Sequence, residues 1–143
     1  ARQVSLSALG VCLALAAQPA APPVFVPAQR FTLAWTHSIE KVRWEEDYEV
    51  AAPVDAAAAP ALLAVAARVR GSGAGMEPPP GAVLRNGWYE FVPAQRVHAD
   101  LALTRSAYTA DYELCVDGGC RPLSALLPSD GGVTRLSACR APG

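Results

Sequence analysis

Lysine is almost missing: Lys41 is the single lysine among 12 basic residues, which face 13 acidic ones for a net charge of −1. Signs are interspersed, so the chain lacks the basic stripe that binds nucleic acid or an anionic membrane surface. The preference for arginine, with heavy use of alanine and proline, reads as coding bias rather than a physical demand. Histidine is scarce too. With only two in the chain, a zinc enzyme would have to complete its ligand set with carboxylates. Long apolar runs are also absent: the longest, Val4 to Ala17, is too short for a comfortable membrane span. No G-x-S-x-G elbow and no Gly-Lys-Ser/Thr phosphate loop occur, which removes the commonest signatures of serine hydrolases and nucleotide-binding folds.

What is abundant is punctuation. Thirteen prolines and eleven glycines divide 143 residues into short segments, favouring many strands over long helices. The length suits one domain with a real core. Arg2, the apolar run behind it and the small residues up to Ala21 read as a secretion signal over 1–21, with A-x-A cleavage at Ala14/Ala16 or near Ala20-Ala21. That leaves 22–143 as one all-β domain, periplasmic or secreted, with no stable membrane span after signal removal. Val11 before Cys12 argues against lipidation. In an oxidising compartment the four cysteines favour disulfides over a metal, and Cys12 would leave with the signal.

Phe31 to Val50, FTLAWTHSIEKVRWEEDYEV, is the most informative stretch. Phe31, Leu33, Trp35 and His37 share one strand face; Trp44, Glu46, Tyr48 and Val50 share another. A hairpin turning near Lys41-Val42 would pair Leu33–Val50, Trp35–Tyr48 and His37–Glu46, setting an imidazole against a carboxylate on an apolar face. Burying such groups unpaired is costly, so the expected pair is either a satisfied structural contact or a site. Ser38 points to the opposite face from His37, which weighs against a His37–Ser38–Glu46 triad. Glu40, Glu45, Asp47 and Glu49 lack the spacing of a calcium loop.

Further strands are expected at Val24–Val26, Leu62–Arg70, Trp88–Val92, Leu101–Ser106 and weakly at Val133–Leu136. Asp117-Gly118 is the strongest hairpin signal. It joins Asp111–Val116 to Arg121–Leu126 and makes Cys115–Cys120 a cross-strand pair within disulfide range; a thiolate metal site is the weaker alternative. Cys139 is left free or competing. Segments repeat in order: FVPAQR at 25–30 and 91–96, LAWTHS echoed by LALTRS, DYEV by DYEL. They suggest two pseudo-repeated hairpin units, with Arg105 standing where the first copy has His37. Gly71, Gly73 and Gly75 form a wide loop whose N–H groups could face an anion, or simply a turn needing positive φ.

WTHSIEKVRWEEDYEV, the RVRGSGAGMEPPPG loop and LCVDGGCRPL resemble a bacterial family of small exported proteins of unknown function, encoded beside TRAP transporters of the TAXI type. The resemblance rests most on His37-Ser38-x-Glu40, Glu46 and the Gly73-Ala74-Gly75 turn. It implies a periplasmic location and a transport-accessory role. The resulting expectation is an antiparallel β-sandwich or partly closed barrel, without cofactor, metal or catalytic residues. It would bind a small ligand or a TRAP transporter component through His37, Ser38, Glu40, Glu46, Gly73 and Gly75. The alternative is a hydrolase or metal-dependent enzyme using His37, Ser38 and Glu46.

Overall fold

Period-2 alternation and tight glycine turns make strands the dominant element of the described residues. The computed structural model describes residues 8–36, 41–55, 57–71 and 79–142. In chain order the strands are β1 (Leu9–Leu15), β2 (Val24–Pro27), β3 (Arg30–Thr36), β4 (Arg43–Ala51), β5 (Ala61–Arg70), β6 (Val83–Arg85), β7 (Trp88–Phe91), β8 (Val97–His98), β9 (Asp100–Thr104), β10 (Glu113–Val116), β11 (Gly119–Pro122) and β12 (Val133–Arg140). A single helical turn, α1 (Leu123–Leu126), separates the last two. A small sheet of order β2-β1-β12-β9 packs on a large one of order β11-β10-β3-β4-β5-β7-β6, with β8 also on β5. The fold is an antiparallel β-sandwich. Val11, Leu13, Val26, Leu103 and Leu136 of the small sheet share one core with Phe31, Leu33, Tyr48, Leu62 and Leu114 of the large sheet. Each such side chain contributes about 1.5–3 kcal/mol by leaving water.

Leu9–Leu15, read as part of a leader, is a central strand paired with both β12 and β2. A strand with one face in the core and a disulfide on the other gives the same near-continuous apolar run as a signal peptide. Val11 and Leu13 are fully buried. Cys12 on the opposite face is bonded to Cys139, with Cα atoms 5.9 Å apart. Cys139 therefore has a partner the sequence reading did not assign. Its strand β12 runs four residues past the weak segment expected, to Arg140.

The β3–β4 hairpin is confirmed, but its register is corrected. Phe31 pairs with Tyr48, Leu33 with Glu46 and Trp35 with Trp44. This register stacks Phe31 on Tyr48 at 5.2 Å and Trp35 on Trp44 at 6.0 Å. It also sets Thr32 against Asp47, whose Oδ1 accepts from the threonine hydroxyl at 2.6 Å. The observed register makes two ring-on-ring pairs where the expected one made a single such pair, Trp35–Tyr48, beside the aliphatic pair Leu33–Val50. The slip is an even number of residues, so every side chain keeps the face assigned to it. Glu46 nevertheless opposes Leu33, and His37 lies outside the described residues.

The Asp117-Gly118 turn is as read. Both residues have positive φ, 53° and 81°, which suits a two-residue primed turn. Cys115 faces Cys120 across it and the two are bonded. Beyond Pro122 the chain turns into α1 rather than continuing as a strand, and Leu123 fills the core. The repeated segments take different places. LAWT runs in β3, inside the large sheet, whereas LALT runs in β9, at the edge of the small one. DYEV lies in β4 and DYEL leads into β10, and these two strands flank β3 on either side.

Candidate functional site

The two faces of the large sheet treat charge differently. On the outer face an ion-pair ladder joins residues of β10, β4 and β5. Arg43 bridges Glu45 at 2.7 Å and Glu113 at 3.1 Å. Arg68 bridges Glu45 at 2.6 Å and Asp47 at 2.8 Å. Burial alone would raise the Glu45 carboxyl, yet hydrogen bonds from Arg43 and Arg68 hold it below the ordinary range.

The inner face carries a carboxylate without such company. Glu46 is half-buried beside Leu33, on the core parity of β4. Tyr48, two residues on and on the same face, donates its hydroxyl to Glu46 Oε1 at 2.8 Å. Among the described residues no cation forms an ion pair with Glu46. Aromatic rings surround this end of the hairpin. Trp35 lies 6.1 Å from Tyr112, and Trp44 meets Phe91 edge-on at 6.5 Å. The buried Trp44 Nε1–H has no hydrogen-bond partner among the described residues, which is uncommon for a buried indole. Burial raises the Tyr48 phenol well above its usual value, and the charge of Glu46 and its hydrogen bond push the same way. Tyr112 is raised by burial and by Glu46, and pulled back by Arg105. Tyr112 thus senses both charges.

Arg105 is a residue the sequence reading noted only as the echo of His37. It follows β9, where Leu101, Leu103 and Arg105 share a parity, so the strand carries its guanidinium inward. Its side chain is 3% exposed. Nη1 donates to the Leu127 carbonyl at 2.8 Å and to Thr134 Oγ1 at 3.2 Å. Asp111 Oδ1 stands 3.5 Å from Nη2. Neither Nε nor Nη2 makes a hydrogen bond among the described residues. The signal for it was present: a charged residue on the inward parity of an apolar strand.

Of the residues proposed from sequence, Glu46 is placed as described, and Cys115 and Cys120 form their disulfide. His37, Ser38, Glu40, Gly73 and Gly75 lie outside the described residues. Trp44 pairs with Trp35 on one side and with Val69 on the other, so the end of β3, the start of β4 and the end of β5 lie side by side. Gly71, just past β5, packs under the Tyr89 ring, which leaves no room for a Cβ. His98 of β8 meets the Tyr48 ring edge-on at 6.1 Å. Among the described residues no three His, Cys, Asp or Glu side chains converge as metal ligands, and no helix is long and apolar enough to cross a membrane.

No curated protein and no solved structure shows significant similarity to the chain. The family described as a domain of unknown function, DUF1850, matches residues 31–123. That span runs from the start of the β3 core face to the first residue of α1, and leaves β1, β2 and β12 outside it. The match covers more than half of the chain, which therefore belongs to the DUF1850 family.

Proposed function

We propose that this chain is a non-catalytic periplasmic binding module that takes a small ligand or a transporter component at the Glu46 end of the large sheet. One observation carries the reading: a half-buried carboxylate faces the core side, bonded to Tyr48 and without an ion pair among the described residues. A carboxylate so placed is costly unless it serves a partner. The unpartnered Trp44 indole N–H near it adds a second polar group in want of one. The segments holding His37, Ser38, Glu40, Gly73 and Gly75 join strands that end side by side here, which supports counting those residues in the same site. Two disulfides belong to a chain that folds in an oxidising compartment outside the cytoplasm. The periplasm and the link to a TRAP transporter rest on the resemblance drawn from sequence.

The test uses the full chain with its disulfides intact. Thermal-shift screening against small periplasmic solutes is run beside pull-down from detergent-solubilised membranes, on the wild type and on Glu46→Gln. Binding that is lost in Glu46→Gln at unchanged melting temperature supports the reading. Binding that survives the substitution sinks it.

A further inference from the structure

Two disulfides tie the chain, and the strands present them differently. Cys12 and Cys139 lie on β1 and β12, interior strands of the small sheet, and both residues are half-buried. Phe25 of β2 stands beside Cys12 in the cross-strand register. Cys115–Cys120 is placed at the margin instead. β11 is the edge of the large sheet, and its four residues, Cys120 among them, are exposed. Cys115 is half-buried on β10, between β11 and β3, where Thr32 is its cross-strand partner.

Parity decides which way the sulfurs face. Leu114, the neighbour of Cys115, is buried in the core, so Cys115 and Cys120 stand on the outer face of the sheet. There they line a cavity of about 470 Å³ with Thr32, Asp47 and Arg68, a volume within the range of small-molecule sites. An incoming thiol therefore has room. Displacement at a disulfide sulfur runs in line with the bond that breaks. This bond spans β10 to β11, so attack on Cys120 comes from the free edge of the sheet. Attack on Cys115 would come from the side that β3 occupies.

The hairpin also keeps its cysteines aligned without the bond. The Asp117-Gly118 turn and the pairs Glu113–Pro122 and Leu114–Arg121 hold β10 against β11. Leu114 and Leu123 anchor its two ends in the core. The pair can thus open and close on a folded frame.

We infer that Cys115–Cys120 is a thiol–disulfide exchange site attacked at Cys120, whereas Cys12–Cys139 is a permanent bond of the fold. The reductant is a dithiol. Its thiolate bonds to Cys120 Sγ, the Sγ–Sγ bond breaks, and Cys115 leaves as a thiolate that takes up a proton. The second thiol of the reductant then displaces Cys120 from the mixed disulfide. The chain gains two electrons and two protons, and the reductant departs as a disulfide. Neither cysteine belongs to the Glu46 end of the sheet, so this site and the proposed function stand or fall separately.

The experiment uses the full, oxidised chain in native buffer. Glutathione, a monothiol, is added for short times, freed cysteines are capped by alkylation, and the peptides are mapped by mass spectrometry. The expected product carries glutathione on Cys120 and the cap on Cys115, and forms about tenfold faster than Cys12–Cys139 opens. Dithiothreitol should carry the same pair to the dithiol and oxidised glutathione should restore it, with the far-ultraviolet circular dichroism of the sandwich retained throughout. Glutathione found mainly on Cys115, Cys12–Cys139 opening at an equal or greater rate, a native chain that does not react, or loss of the fold on reduction would each overturn the proposal.

Discussion

The two sheets share one core but hold their strands by different means. The small sheet buries Thr134, bonded to Arg105, beside its apolar residues and is tied by Cys12–Cys139, residues 127 apart in sequence. The large sheet holds its outer face by an ion-pair ladder across β10, β4 and β5, and its disulfide joins cysteines only five apart. Chemistry follows the same division. Glu46, Tyr48 and Trp44 all stand on the large sheet, within the span matched by the family, whereas β1, β2 and β12 lie outside that span.

Removing the disulfides sharpens that contrast most. In the chain-entropy account, closing a loop of roughly 130 residues stabilises by about 5 kcal/mol, and closing the β10–β11 turn by about 2 kcal/mol. Replacing both Cys12 and Cys139 by Ser should therefore lower the urea midpoint far more than replacing both Cys115 and Cys120. Equal losses would break the division between the sheets. A mature chain lacking residues 1–21 would show no effect of Cys139→Ser, so the same experiment bears on the leader.

The next contrast is between the faces of the large sheet, and pH reads it. Glu45 is held below its ordinary value of 4.5. Its folded form binds a proton less tightly than the unfolded form does. Its contribution is thus present above the unfolded pKa and is lost as pH falls through the folded value. Arg68→Met removes a cation that bonds both Glu45 and Asp47. It should cost about 1–3 kcal/mol near neutral pH and flatten the acid limb of the stability profile. An acid limb as steep as the wild type's would show that the ladder is not its source.

Much of the fold was legible, for identifiable reasons. Alternation in Phe31–Thr36 and Trp44–Val50 gave strands and faces, and Asp117-Gly118 gave a turn and with it a disulfide. Asn86-Gly87 carries the same signal and makes the β6–β7 turn, with positive φ at both residues; it went unread because β6 is only three residues long. Register was not legible, because parity survives any even slip and only the ring stacking of Trp35 on Trp44 chooses among them. β1 was hidden because an apolar strand beside small residues has a leader's composition. The Arg105 environment depends on Leu127, Thr134 and Asp111, brought together from three separate segments. No local pattern encodes that meeting.

The smallest stability change should come from Glu46→Gln, and it sharpens the comparison at the site itself. Gln keeps an Oε1 that accepts from the Tyr48 hydroxyl, so the cost should stay below about 1 kcal/mol. The phenols should report the substitution instead. Burial is the first cause that raises Tyr48 and Tyr112, and the negative charge of Glu46 raises both further. Removing that charge makes each phenolate easier to form, so both should ionise at lower pH than in the wild type while burial keeps them above ordinary tyrosine. A raised folded pKa gives stability that is present below the unfolded value, near 10, and lost as pH climbs above it. The alkaline limb should therefore shrink in Glu46→Gln while the acid limb, which belongs to the outer ladder, stays put. Ultraviolet titration of the phenols checks the first effect and denaturant melts across pH check the second. An unchanged phenol titration would mean that the Glu46 charge does not reach the aromatic end of the sandwich.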